Sequence, residues 1–513
     1  MTKPLFESSE WDFDLLDRLW EAIEPIALLD LKLDLYPNEF KIITYEQMLD
    51  SYASIGMPHM YKHWSFGKRF ARDYERYRKG MQSLAYELVI NSDPCLNYLM
   101  EENSSAMQAL VMAHAGAGHN HFFKNNHLFR EWTQADFVLD YLAYAAKYIA
   151  KCEERHGYEA VELVLDSAHA LMNYGIDRSK RPAQLSQEKR VARLRERQQV
   201  EDEQYDDLWA RTVPQAPVRE RTEEEIEPGK KAPPRLPEEN LLYFIEKNSP
   251  ALQEWEREAV RIVRIISQYF YPQRQTKMMN EGCATFVHHY ILNELWDKGL
   301  LTAGAMQEIL HSHSIVILQP DFDKPYFTGM NPYALGFAMM TDIRRVCENP
   351  TSEDKEYLPQ IAGVGDWRAI LKDAWANYRD ESFVTQFLSP KVVRDFHLFM
   401  VHHGDGEKKL VVKDIHDDEG FRGVRTMLSR AYNVSESDPD IQVTDANFKG
   451  DRGLRLLFKS PRNRRLEATE AERTLRLMHR KLWPYPINLD MENSEGKIIP
   501  AFSINSEEFK RLA

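Results

Sequence analysis

The chain has 513 residues, 43% of them hydrophobic, with 66 Lys and Arg against 80 Asp and Glu and a formal charge of −14. That length exceeds what one core supports and suggests two or three domains, and the composition is globular rather than disordered. A net acidic chain with a pI near 5.7 is not one whose main task is coating nucleic acid or an anionic membrane. The four cysteines, Cys95, Cys152, Cys283 and Cys347, include no CxxC, which speaks against a zinc ribbon or a disulfide framework and for a reducing compartment. MTKPLFESSEWDFDLL lacks the basic-then-apolar order of a signal peptide. No apolar run approaches the ~20 residues of a membrane span, so a cytoplasmic location is expected.

Along the chain, Leu15, Leu16, Leu19, Ile23 and Ile26 follow a helical spacing from Trp11 to about Lys32. KIITY (41–45) reads as a short extended piece. Helices are expected over 69–98, with Pro94 in a first turn, over 98–114, and over 135–174 with a break near Gly157. From about 180 to 239 the sequence turns charged and Pro-rich, which reads as a helical arm followed by an extended connector. Helical spacing resumes at Leu241, through 255–270 and 278–299 with Gly299 as a stop. Asn331 and Pro332 open another helix over 331–346, and 367–379 and 390–397 read as helices too. HLFMVHHGDGEKKLVVKDI has the alternation of a hairpin. A helix near 418–432, strands near 441–446 and 453–459 and a helix near 467–481 complete the pattern. The expected fold is mainly α, a large helical N-terminal and central body with a small C-terminal α+β domain. Its expected parts are 1–180, the arm and connector 181–239, 240–397, and 398–513.

Chemistry concentrates where imidazoles meet helix-breaking residues. MAHAGAGHNHFFKNNH (112–127) holds four of the 17 histidines. His114 and His119 are five apart, about 140° around a regular helix, so they would not share a face. Gly116 and Gly118 relax that constraint by permitting a helix end or a bulge. His121 and His127 are assigned to the loop surface. Glu281 and His288, seven apart, return to within roughly 20° of one face. Their neighbours Phe286, Ile291, Leu292 and Leu295 are apolar, so the pair needs partners or a metal. Asn103, eleven before His114, would fall near its face, and Glu102 could reach the same cavity from the side. His63, Asp166, His169 and His313 are further polar groups in apolar surroundings. GxSxG, a Walker loop and a strand-borne GxGxxG are all absent.

Taken together, YPNEFKIITYEQMLDSYASIGMP, HWSFGK, ELVINSDPCLNYLMEEN, AHAGAGHNHFFKNN, YFYPQRQTKMMNEGCATF, NPYALGFAM, RDESFVTQFLSP and LWPYPINL resemble the SpoVR family (stage V sporulation protein R-like), in its Gram-negative form. The resemblance spans essentially the whole chain. It implies a cytoplasmic bacterial protein linked to spore cortex formation in spore formers. In Gram-negative species it implies work beside a PrkA-like serine kinase and a von Willebrand A-domain protein under starvation or stress. His63, Glu102, Asn103, His114, His119, Glu281, His288 and His313 coincide with polar positions of the family stretches. The chain departs from the family pattern at Gly116 and Ala117 (usually Cys-Tyr), at Cys283 and Val287 (usually Trp) and at His289 (usually Tyr), which would loosen packing around the pocket.

Two readings follow. In the first the chain is a metal-dependent hydrolase of amide bonds in a peptide or cell-wall-derived substrate. His114, His119 and His288 would bind a divalent ion, zinc before others. Glu281 would be fourth ligand or general base, Glu102 the other candidate base, and Asn103, His63, His313, Asp166 and His169 surrounding pocket residues. In the second the chain is a non-catalytic adaptor for the kinase and A-domain partners, and the polar cluster only fixes packing.

Overall fold

The computed structural model describes residues 3–54, 56–57, 60–78, 87–178, 192, 236–321, 324, 327, 329–399, 401–402, 411–412, 417–459, 466–493, 495–506 and 508–512. Of the charged arm and connector 181–239 only residues 192 and 236–239 are described, and the rest of it and the GDGE turn lie outside these residues.

The first helix, Phe13–Pro25, starts where the Asp12 carboxylate accepts the Leu15 N–H at 2.7 Å. It buries Leu15, Leu16, Leu19 and Ile23 on one face and passes into a π-helical turn at Ile26–Asp30. The extended piece is longer than KIITY: β1 covers Asn38–Ile43. It runs parallel to β3 (Cys95–Met100), and β2 (Glu87–Ile90) pairs antiparallel on β3's other side. The expected helices over 69–98 and 98–114 are therefore corrected. Helix exists at Trp64–Arg78 and again from Ser105, with strands between. All six residues of β3 are buried, so its run of apolar residues carries no alternation to separate strand from helix.

Beyond the sheet the expected helices form. Val138–His156 and Tyr158–Ala170 are separated by Gly157 at φ +84°. Leu241–Asn248, Glu254–Gln275, Lys277–Asp297, Pro332–Glu348, Trp367–Asn377 and Pro390–Asp395 follow. Lys277–Asp297 is the axis of the body, buried nearly all round through Met279, Ala284, Phe286, Val287, Ile291 and Leu295. Its N-terminus has no cap of its own. Asp380 supplies one from another helix, accepting the N–H groups of Met278 and Met279 at 2.9 Å each. Asp380→Ala should cost about 2–4 kcal/mol, because two buried donors lose their acceptor; urea melts of the two chains measure it.

The larger core joins Leu19, Ile23, Val111, Met279, Phe286, Met339 and Trp367 with Phe421 and Val424. Helix Asp418–Ala431 thus packs on the main body, and position 398 marks no break in packing. A second core lies between Val164, Leu165, Phe244, Ile262 and Val263 and a five-stranded sheet carrying Val443, Leu456, Phe458 and Ile504. Strands β4 (Val401–His402) and β5 (Val411–Val412) pair antiparallel as the expected hairpin. The five-stranded sheet has the order β10-β9-β8-β7-β6, from β6 (Asp440–Ala446), β7 (Leu454–Lys459), β8 (Ile487–Glu492), β9 (Ile498–Asn505) and β10 (Glu508–Arg511). Strands β7 and β8 are parallel, and helix Ala468–Leu477 makes their crossover. The last three strands went unread in the sequence. Pro500 sits inside β9, tolerated where the register shifts between Leu489 and Asp490. Among the described residues no helix is long and apolar enough to cross a membrane.

Candidate functional site

The opening histidine stretch does not break its helix; it rewinds it. Ser104 caps an α-helix at Ser105–Val111, which becomes π-helical at Met112–His119, and the Asn120 N–H donates to Ala115 O five residues back. In a π-helix one hydrogen-bonded turn spans five residues. The 140° offset of a regular helix is thereby much reduced, and His114 and His119 stand side by side, ring centroids 4.7 Å apart.

Glycine makes this geometry possible through close approach. A Cβ on Gly118 would lie 2.9 Å from Ala284 Cβ and closer still to its Cα. One on Gly116 would meet ring atoms of Phe40 and Trp20 at 2.8 Å. One on Gly282 would meet Gly336 Cα at 2.6 Å. The π-helical segment, helix Lys277–Asp297 and helix Pro332–Glu348 therefore stack backbone to backbone, and their polar side chains converge between them. At the positions that depart from the family pattern, Phe40 and Trp20 fill the space beside Gly116. Ala117, Cys283 and Val287 are fully buried, and His289 packs against His313 and Phe337.

His114 Nε2 lies 3.7 Å from Glu87 Oε1 and 3.9 Å from Glu281 Oε2, and His119 Nε2 lies 3.6 Å from Glu281 Oε2. Each imidazole is held from behind: His119 Nδ1 meets Asn280 Oδ1 at 3.0 Å, and His114 Nδ1 meets His288 Nδ1 at 2.8 Å. His288 does not face the carboxylates; its Nε2 meets His313 Nδ1 at 2.9 Å, so both its ring nitrogens are engaged. Glu281 Oε2 is buried with no hydrogen-bond partner. Tyr333 stacks 6.4 Å from His114, and burial, then Glu281 and Glu87, raise its pKa.

The structure thus brings together His114, His119, Glu281, His288 and His313. Other expected members fall elsewhere. Glu102 is exposed and accepts the Tyr45 N–H at 3.3 Å, at the start of helix Tyr45–Ala53. Asn103 precedes the Ser105 helix rather than riding on it, and its carbonyl accepts the Trp11 indole N–H at 2.8 Å. Asn103 would share a face with His114 only if one regular helix ran through both. His63, Asp166 and His169 form a separate cluster with Glu162. His121 is buried, accepting the Asp34 N–H at 3.0 Å against Trp375, and half-buried His127 meets Ala376 O, so neither is loop surface. Glu87 and Tyr333 were missed. Glu87 heads a strand that reads as helix, although a carboxylate leading the apolar run LVI was a visible signal.

Burial pushes His114 and His288 well below the ordinary 6.5 and His121 and His313 to about 4, so these rings are neutral at pH 7. Burial and the neighbouring Glu281 carry Glu87 up to about 8, and burial carries Asp380 to about 7. Below pH 6.5 the unfolded chain takes up protons that the folded histidines refuse, so stability falls with acid. The two carboxyls act oppositely. Their contribution is full at low pH and is lost as pH rises to 7 and 8, while folded Glu87 and Asp380 still hold protons the unfolded chain has already released. The histidines outnumber them in acid. The chelator-treated chain should therefore melt lower at both pH 5 and pH 8.5 than at pH 6.5, as thermal scans would show.

The architecture and the cluster define a mainly α protein with an internal histidine–carboxylate centre and an α+β C-terminus. The chain belongs to the SpoVR family. The family model described as SpoVR like protein matches residues 10–437, and that of the SpoVR-like C-terminal domain matches 439–494. It is 50% identical over 497 residues to a protein of Escherichia coli (strain K12) named "Uncharacterized protein YcgB", covering 97% of this chain and 96% of that one. No solved structure matches it.

Proposed function

We propose that Glu87, His114 and His119 hold a divalent metal ion, zinc before others, and that the chain is a metal-dependent hydrolase acting on an amide bond. The observation that carries this reading is Glu281 Oε2, a buried carboxylate oxygen without a hydrogen-bond partner, facing the Nε2 atoms of His114 and His119. Buried polar atoms are paired in native proteins, and one left over marks a missing partner. Three protein ligands with a carboxylate alongside is the donor set of hydrolytic zinc sites. The donor atoms of Glu87, His114 and His119 lie within 4.8 Å of one another, and drawing in by up to about 1.5 Å would bring them to the ~3.3 Å spacing of ligands on one ion.

When bound, such an ion would lower the pKa of water to about 7 and supply a nucleophile. The side chains do the rest. Asn280 and His288 fix the two imidazoles with Nε2 presented inward. Glu87 gives up its proton on becoming a ligand, so uptake of metal releases acid near neutral pH. Glu281 takes the proton from the attacking water and returns it to the leaving amine. The Tyr333 hydroxyl, facing Glu281, can donate to the oxygen of the amide under attack.

Elemental analysis of the purified full chain, with thermal scans in added zinc, manganese or iron, tests the site. Substoichiometric metal and no thermal gain would end the reading. Hydrolysis of a panel of peptides and cell-wall fragments by the loaded chain, with Glu281→Gln beside it, tests the chemistry. Retained turnover in that variant would remove Glu281 from the base role. A chain that binds no metal reads instead as an adaptor for a PrkA-like serine kinase and a von Willebrand A-domain protein, supported by family resemblance alone.

A further inference from the structure

Away from the first cluster, His63 precedes helix Trp64–Arg78 and meets two carboxylates of helix Tyr158–Ala170. Glu162 and Asp166 are four apart on that helix and so share a face. His63 Nε2 lies 3.0 Å from Glu162 Oε2 and 3.3 Å from Asp166 Oδ1. The His63 side chain is 1% exposed and that of Glu162 9%, whereas Asp166 is 32% exposed. Despite the short distances, neither His63 Nε2 nor Glu162 Oε2 has a hydrogen-bond partner. The carboxylate oxygen lies off the direction in which the ring nitrogen would donate.

That combination is awkward for an ion pair and natural for ligands of a common ion. Donor atoms about 2.1 Å from one metal, at tetrahedral to octahedral angles, sit roughly 3.0–3.4 Å apart and about 35–45° off each other's lone-pair axes. The geometry points to a second divalent-metal site, made by His63, Glu162 and Asp166 and separate from the first, that takes a zinc- or manganese-class cation and clamps helix Trp64–Arg78 to helix Tyr158–Ala170. One imidazole and two carboxylates suit that class, and the partly exposed Asp166 side leaves room for water ligands. Supporting groups hold the donors. His63 Nδ1 meets Ser65 Oγ at 2.7 Å, and with the hydroxyl accepting, Nε2 is a free lone pair. The Ser65 N–H also approaches Nδ1, at 3.3 Å, so in the metal-free chain the ring can take the other tautomer. Trp64 orients both carboxylates: its backbone N–H donates to Glu162 Oε1 at 3.4 Å and leaves Oε2 to the ion, and its indole N–H donates at 2.9 Å to Asp166 Oδ1, the oxygen that also faces His63 and keeps a second lone pair. His169 packs edge-on to the His63 ring, centroids 4.6 Å apart. Burial lowers the pKa of His63 in spite of its acidic neighbours, which keeps the ring neutral.

The test uses the full chain, stripped with chelator and titrated with Co²⁺ or Zn²⁺, with bound metal counted by elemental analysis and the cobalt ligand field read by absorption. Wild type should take two equivalents, His114→Ala/His119→Ala one, and that variant with Glu162→Gln added none. Asp166→Asn, at the more exposed position, preserves the fold, which circular dichroism checks, and should weaken the second equivalent at least tenfold. If the double histidine variant binds nothing, or if Glu162→Gln and Asp166→Asn leave its metal unchanged, the second site falls. If wild type binds one equivalent that survives loss of His114 and His119 but not of Glu162, the second site stands and the reading of the first falls.

Discussion

Gly118→Ala is expected to destabilise the chain by about 1–3 kcal/mol and to abolish metal uptake at the first proposed site. The added methyl would be pressed onto Ala284, Cβ to Cβ at 2.9 Å with the Cα nearer still. Backbone cannot rotate away as a flexible side chain can, so the π-helical segment must lift from helix Lys277–Asp297. That movement pulls His119 from Asn280 and His114 from His288, the contacts that aim the two ligand rings, and separates both from Glu281, because these groups ride on opposite sides of the contact. Gly67→Ala is the control, since a Cβ there meets nothing within 4 Å inside helix Trp64–Arg78; its metal content should match wild type and its melting temperature should equal or slightly exceed it. Denaturant melts and metal counts on both variants decide the matter. A Gly118→Ala chain that unfolds earlier yet loads metal normally would mean that the close contact serves packing alone.

His114→Ala is expected to weaken metal binding at the first proposed site by about 10²–10³-fold, one ligand's share of the ~10–16 kcal/mol that a structural zinc site contributes. His114 is the common neighbour of Glu87, Glu281, His119 and His288. Asn280→Ala removes no ligand but frees the His119 ring, so its loss should be smaller, about 10–100-fold. Competition against a chromophoric chelator measures both. Equal losses would make the Asn280 contact as important as a ligand, and no loss in either would place the metal elsewhere.

Much of the helical body is written in the sequence because its periodicity is local. Asn331 with Pro332, Gly157 and Gly299 each mark a boundary that the backbone respects. The short sheet of β1 to β3 is not legible in this way. Its central strand is buried on both faces, so the alternation that would distinguish CLNYLM from a helical turn is lost. The pairing of β1 with β3 also joins segments more than fifty residues apart, which no local pattern can announce. For the site, the glycines signalled that regular helical phase would not hold, and the pair Glu281 and His288 signalled a polar rung on an apolar helix. What could not be read was how the phase would change. A π-helical turn brings His114 to His119 but displaces Asn103, because a helical-wheel argument fails for residues on the far side of a rewinding or outside the helix. His63, Asp166 and His169 looked like parts of the same pocket because sequence gives no distance between segments that pack in different cores.

The row formed by His114, His288 and His313 has an implication for how the molecule stores information. Each ring carries one proton when neutral, and each contact along the row needs one nitrogen bearing hydrogen and one bare. Binding of any electrophile at His114 Nε2 forces hydrogen onto its Nδ1, leaves the facing nitrogen of His288 bare, and so directs the His288 hydrogen toward His313. Occupancy at one end is thereby transcribed, without any displacement of atoms heavier than hydrogen, into the tautomer of a residue two rings away.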